Sequence, residues 1–105
     1  MIKQVQKLIA PLKNRIMLAI ARSIIQVVTD TEGIQLTQID VLHDETRETT
    51  ERFQEYGFTS VPFAGAEAVV VRVGGNCDHG IIIACEDRRY RLKGLANGEV
   101  AIYTD

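Results

Sequence analysis

Apolar residues recur near the start of the chain at Ile2, Val5, Ile9 and Leu12, with Lys3, Gln4, Gln6 and Lys7 between them. Spacings of three and four place them on one stripe of a helix. Pro11 is expected to break or kink that helix, because a proline ring removes a backbone donor and crowds the preceding turn. So short a helix is marginal in water without a partner surface. It therefore docks on the domain or frays as an arm, or it packs against copies of itself. The pattern sets residues 1–15 apart as a helix or arm.

From Ile16 the chain turns β-branched and aliphatic through residues 16–30, IMLAIARSIIQVVTD. This is long for one strand, so a bend or interruption is expected near Ala21, Arg22 and Ser23, helping a sheet to curl. Asp30, Thr31, Glu32 and Gly33 make a turn, and residues 34–42 alternate, which predicts a hairpin with one buried and one wet face. Residues 43–51 are polar and charged and read as a solvated loop or a flared hairpin end. Arg52 to Tyr56 alternates again and predicts a short third strand.

Residues 56–80, YGFTSVPFAGAEAVVVRVGGNCDHG, carry five glycines. That density marks a tight β corner whose entry Pro62 stiffens. Within it, residues 68–73 form a strand, Gly74, Gly75 and Asn76 a turn, and a return strand begins at Ile81. The run Ile81, Ile82, Ile83, Ala84, Cys85 has no polar position, which predicts a strand buried on both faces, as at a subunit interface or under a covering loop. Arg89, Arg91 and Lys93 alternate with Tyr90 and Leu92 and read as the wet face of an edge strand, or else as a phosphate patch. After a turn at residues 94–98, residues 99–103 form the last expected strand.

At 105 residues and 11.7 kDa the chain is one domain with one core. Hydrophobic residues at 46% and charged residues at 25% are globular values that argue against disorder. Twelve Lys and Arg against fourteen Asp and Glu leave no basic excess to drive nucleic-acid or anionic-membrane binding. No apolar run is long enough for a membrane span, and the N-terminus is too charged for a signal-peptide core. The reading is a protein made in the cytosol and kept there, or assembled from it.

Cys77 and Cys85 do not make a disulfide framework, and even with His43 and His79 they are a thin zinc set, so they read as structural thiols. Cys77, Asp78 and His79 are the right groups for nucleophilic catalysis, but neighbours in a tight turn point apart, whereas triads converge from separated positions. Gly74 and Gly75 are not followed by the Lys and Ser or Thr of a phosphate loop. Neither enzymatic activity nor any cofactor or metal has a motif in its favour. Phe53, Tyr56, Phe58 and Phe63 cluster in sequence, which suits a core plug at a barrel mouth better than a base-stacking platform with no basic surround.

Five to six strands, a long bent first strand, glycine corners and little helix describe a mainly all-β chain. Residues 16–105 are expected to form a small OB-type barrel. The segment Glu51 to Pro62, ERFQEYGFTSVP, continues with Gly65-Ala66-Glu67-Ala68, Gly74-Gly75-Asn76, His79-Gly80, Asp87-Arg88-Arg89-Tyr90-Arg91, Gly94-Leu95 and Gly98-Glu99-Val100-Ala101. This ordered run closely resembles the phage Mu-type baseplate assembly proteins, the central tail spikes. It covers residues 51 to 103 densely and the N-terminal half only loosely.

The resemblance implies a structural homotrimer at the centre of a contractile phage or prophage tail baseplate. It would be assembled in the host cytoplasm, contact tail-tube and hub proteins, close the tube and puncture the host outer membrane. Family members join an N-terminal OB domain to a trimeric β-helix with a metal-binding tip. This chain stops at Asp105, where that part is expected to begin, so a truncated piece or a degenerate prophage product is expected. Iron binding and membrane piercing are carried over to no residue here. Val69, Val71, Val73, Ile81, Ile82 and Ile83 are the expected self-contact about a threefold axis. The rival reading is an OB-type module for nucleic acid or oligosaccharide, resting on the aromatics and residues 88–93.

Overall fold

In the structure, a computed structural model, residues 2–17, 20–42, 47–72 and 80–105 are described. Helix α1 (Ile2–Met17) precedes strands β1 (Ile20–Thr29), β2 (Gln35–Val41), β3 (Arg47–Arg52), β4 (Glu67–Arg72) and β5 (Gly80–Glu86). The strands close into a barrel in the order β1-β2-β3-β5-β4. Only β3 and β5 run parallel; the other four pairings are antiparallel. This is the mainly β fold with a short N-terminal helix that the pattern predicts.

The helix continues through Pro11 instead of stopping there. The ring deprives the Lys7 carbonyl of its usual donor, but Lys7 and Pro11 are both exposed, so water can serve that carbonyl. Ile16 and Met17 belong to α1, and β1 starts four residues later than its composition suggests. Its irregularity falls between Ile25 and Val27, not at residues 21–23.

That bulge controls which side chains enter the core. Ala21, Ser23 and Ile25 face inward in strict alternation, and Gln26 is the extra residue, since Ile25 pairs with Ile39 and Val27 with Gln38. One inserted residue shifts the alternation by one position. Val28, rather than Val27, therefore packs on the core.

A second bulge explains the unbroken apolar run of β5. Val69 pairs with Ala84 and Val70 with Ile82, so Ile83 has no opposite number. Ile82 points inward and is fully buried, the alternation shifts, and Cys85 packs against the core next. Ile83 stands 57% exposed. The strand is thus not buried on both faces within one chain, and Ile82 is a core residue.

Three elements differ from the sequence reading. The third strand is Arg47–Arg52, over the charged stretch, and pairs along β2 from Gln35↔Arg52 to Asp40↔Arg47. Its inward Thr50 lies beside buried Thr37, with the two hydroxyls 3.2 Å apart, so polar side chains pair inside the barrel. Residues 88–90 form a turn rather than an edge strand, and residues 99–103 lie exposed without a ladder. The apolar core is Ala21, Ile25, Ile39, Val41, Ala66, Ala68, Val70 and Ile82. The Cα radius of gyration, 17.1 Å, exceeds the roughly 13 Å of a compact domain this long.

Because Ile82 lies inside and Ile83 outside, their truncations should differ. Ile82→Ala is expected to cost about 2–5 kcal/mol in urea unfolding, and Ile83→Ala less than about 1 kcal/mol. Equal losses would contradict the shift at the bulge.

Candidate functional site

β4 alternates strictly. Ala68, Val70 and Arg72 are buried inside, so Glu67, Val69 and Val71 face outward. Val71 pairs with Ile20 of β1 on one side and with Ile81 of β5 on the other. Ile20, Val71 and Ile81 thus lie side by side across three strands, on the barrel's outer face. Val69 continues the patch beside Ala84, next to the exposed Ile83. Cross-strand apolar neighbours of this kind form a continuous surface rather than scattered exposed residues.

The structure therefore brings together Val69, Val71, Ile81 and Ile83 of the expected self-contact. Ile82 faces the interior, and Val73 lies outside the described residues. Ile20, 67% exposed, is a member that sequence reasoning missed. Its place follows from pairing with Val71, which no local pattern in β1 reveals.

Residues 53–66 connect β3 to β4, and Arg52 holds this loop. Its Nη1 donates to Gln35 Oε1 at 2.8 Å and to the Ser60 carbonyl at 2.7 Å, and its Nη2 donates to Ser60 Oγ at 3.0 Å. Gln35, itself buried, donates to the same Ser60 carbonyl at 2.9 Å and to Asp30 at 3.0 Å. The Ser60 amide donates to Gln54 Oε1 at 2.8 Å. A polar clamp thus occupies the place where an aromatic plug was expected. Phe53, Tyr56, Phe58 and Phe63 are all more than half exposed. Phe53 and Phe58 line an open groove of about 780 Å³ with Ile83, Ala84, Ile102 and Tyr103.

The basic residues after β5 are engaged. Arg88 Nε meets Glu67 at 2.9 Å. Arg89 grips Asp87 through two contacts of 2.9 and 2.8 Å, and donates to the Ala64 carbonyl at 3.0 Å. It also sits over Tyr90, whose ring is 5.2 Å from that of Phe63. Arg89 thereby fastens the turn to the corner at Gly65. Gly65 has φ +96°, and a Cβ there would come within 3.1 Å of the guanidinium. Of the basic run, Arg88 and Arg89 are thus paired to carboxylates, which weakens a phosphate-binding reading.

Burial pushes the Cys85 thiol up, partly offset by Arg52 beside it, so it is held as the neutral thiol. Cys77, Asp78, His79 and His43 lie outside the described residues. Among the described residues no three His, Cys, Asp or Glu side chains converge as metal ligands. No described helix is long and apolar enough to cross a membrane. What the geometry offers is a row of apolar side chains on the outer face of the barrel.

Comparison with known proteins identifies relatives of the chain. The family model described as Bacteriophage Mu Gp45, N-terminal, matches residues 22–89. The "Baseplate puncturing device gp45" of Escherichia phage Mu is 42% identical over 97 residues, covering 92% of this chain and 49% of that protein. The "Mu-like prophage FluMu protein gp45" of Haemophilus influenzae is 38% identical over 99 residues, covering 94% of this chain and 54% of that protein. The chain spans about half the length of these curated relatives.

Gly65→Ala should destabilise by about 1–2 kcal/mol, from the positive φ and the collision with Arg89. Since Arg89→Ala removes the collision, the double variant should lose less than the sum of the two singles. Additive losses would show that the two residues do not meet.

Hydrogen bonds from Arg89 hold the Asp87 carboxyl below its usual range. The stability this contributes is present above the unfolded pKa of about 3.9 and is lost as pH falls through the lower folded value. Asp87→Asn should therefore be less stable than wild type at neutral pH and converge with it in strong acid, as read by denaturant midpoints.

Proposed function

The chain belongs to the bacteriophage Mu Gp45 N-terminal family, and on that premise we propose that it is a structural, non-catalytic subunit of a contractile phage or prophage tail baseplate. It acts there as the barrel portion of a central spike that takes part in tail assembly and host penetration. The identity to a baseplate puncturing device over 92% of this chain carries the reading. The working unit is a homotrimer located in the virion tail baseplate, assembled in the bacterial cytoplasm. Its partners are itself and the tube and hub proteins, with no nucleic acid.

The physical features support this. A spike subunit needs a stiff barrel and a surface that meets copies of itself, and neither needs a reactive group. Closure removes the free sheet edges, and the outward row Ile20, Val71 and Ile81 offers the self-contact. The rival nucleic-acid or oligosaccharide reading is not favoured, because Arg88 and Arg89 are neutralised by Glu67 and Asp87.

Sedimentation of the wild-type chain is expected to show a trimer, and Val71→Arg with Ile81→Arg a folded monomer with unchanged near-ultraviolet circular dichroism. Both side chains point outward, so loss of association with the fold intact reads on the interface. A wild-type chain that stays monomeric up to about millimolar concentration would overturn self-association through this face.

A further inference from the structure

Two apolar surfaces remain uncovered on the chain, and their charges are opposite. On α1, Ile2, Val5, Leu8 and Ile9 are each about half exposed or more. Residues two to nine rise about 10 Å along a helix, and Ile2, Val5 and Ile9 follow the i, i+3, i+7 pattern with which an amphipathic helix enters a groove. The helix carries Lys3, Lys7, Lys13 and Arg15 and no acidic residue. The rest of the chain has eight basic against fourteen acidic residues, six negative charges net.

The other surface is the open groove of about 780 Å³ with Phe53, Phe58, Ile83 and Tyr103 on its walls. Glu55 lies on its lining. Glu51, Glu86 and Asp105, all exposed, lie within two residues of its lining residues Phe53, Ala84 and Tyr103. Arg52, the basic residue of the lining, is already turned to Gln35 and Ser60. Apolar side chains make up much of the lining, Glu55 is its acidic member and its sequence neighbours are acidic, which is complementary to the apolar stripe and basic residues of α1.

We propose that α1 of one copy docks in the Phe53, Phe58 and Ile83 groove of a second copy. The contact is head-to-tail: each chain gives a helix to one neighbour and a groove to another. Such heterologous contacts build rings when the rotation closes. This inference rests on the self-association reading above and adds the second element that ties neighbouring barrels. Anchors of opposite charge across a contact raise its on-rate and its salt sensitivity, so raised salt weakens this association. Three like-charged helices packed along their own stripes would instead associate more tightly as salt screens their repulsion.

Complementation tests it. A stripe variant, Val5→Asp with Ile9→Asp, keeps its groove, and a groove variant, Phe53→Asp with Phe58→Asp, leaves the outer-face row intact and keeps its helix. Each alone should associate at least about tenfold more weakly than wild type in sedimentation equilibrium, as befits loss of an anchor. An equimolar mixture should associate more tightly than either variant, because one intact helix meets one intact groove. Tyr103→Asp, outside the barrel strands, replaces the groove variant if circular dichroism shows that the fold is disturbed. If the groove variant associates like wild type while the stripe variant does not, the helices pair with each other and the inference fails. If the wild type associates and neither variant weakens it, only this inference fails. A monomeric wild type that instead binds anionic vesicles overturns both this inference and the trimer.

Discussion

The barrel depends on one strand serving two neighbours. β1 pairs with β4 over Ile20 to Ile24 and with β2 over Ser23 to Thr29, so the two ladders overlap at only two residues. A flat ten-residue strand would keep both partners in one plane; curling them into a barrel requires β1 to bend and twist along its length. The bulge at Gln26 lies just past this handover, where Ile25 also exchanges backbone bonds with the Gly65–Ala66 corner, at 2.8 and 2.9 Å. Bulges increase local twist, and that twist lets β4 and β2 curl toward each other until β5 and β3 meet. Their short parallel pairing, Glu51 with Ile81 and Arg52 with Ile82, completes the closure.

Closure sets the interior's composition. Eight small or medium apolar residues fill the core, while Ser23, Gln35, Thr37, Thr50 and Arg72 are buried with them. Buried polar groups are tolerable only when hydrogen-bonded. Ser23 donates to the Ala68 carbonyl at 3.3 Å, and Thr37 pairs with Thr50. Gln35 joins the Arg52 clamp. The interior thus uses hydroxyls and an amide where larger apolar side chains would otherwise sit. The aromatic residues lie outside the core, and Phe53, Phe58 and Tyr103 line the groove.

The β1–β2 hairpin and the barrel class were legible because they rest on local rules: alternation, turn residues and the near absence of helical periodicity. Ile82 and Ile83 were not separable, because an all-apolar run carries no parity and only pairing with Val69 and Val70 shows where the extra residue sits. β3 was hidden because RETTER has no apolar residue to mark an alternation, and its place comes from the ladder with β2. Arg89 resembled one tooth of a basic comb. Its bonds to Asp87 and Ala64 show a fastener, and only the distant Gly65 explains why the guanidinium fits. Of the outer apolar row, Val69, Val71 and Ile81 were legible as apolar strand residues, while Ile20 depended on its long-range partner.

The two bulges make the closing argument. Each inserts one residue that the ladder does not need, and each directs it away from the core. At the first that residue is Gln26, half-buried and polar, as a wet barrel wall requires. At the second it is Ile83, exposed on the groove wall. The backbone device is the same, so barrel geometry gives no reason for the apolar choice at the second site, and leaving an isoleucine in water forfeits the 1.5–3 kcal/mol or so that its burial would return. The bare stripe of α1 poses the same problem from the other side. A helix held out from the barrel with Ile2, Val5 and Ile9 in water, and Pro11 within it, has little reason to persist alone. Each surface lacks what the other supplies, and that mutual lack is the physical ground for the contact proposed between copies.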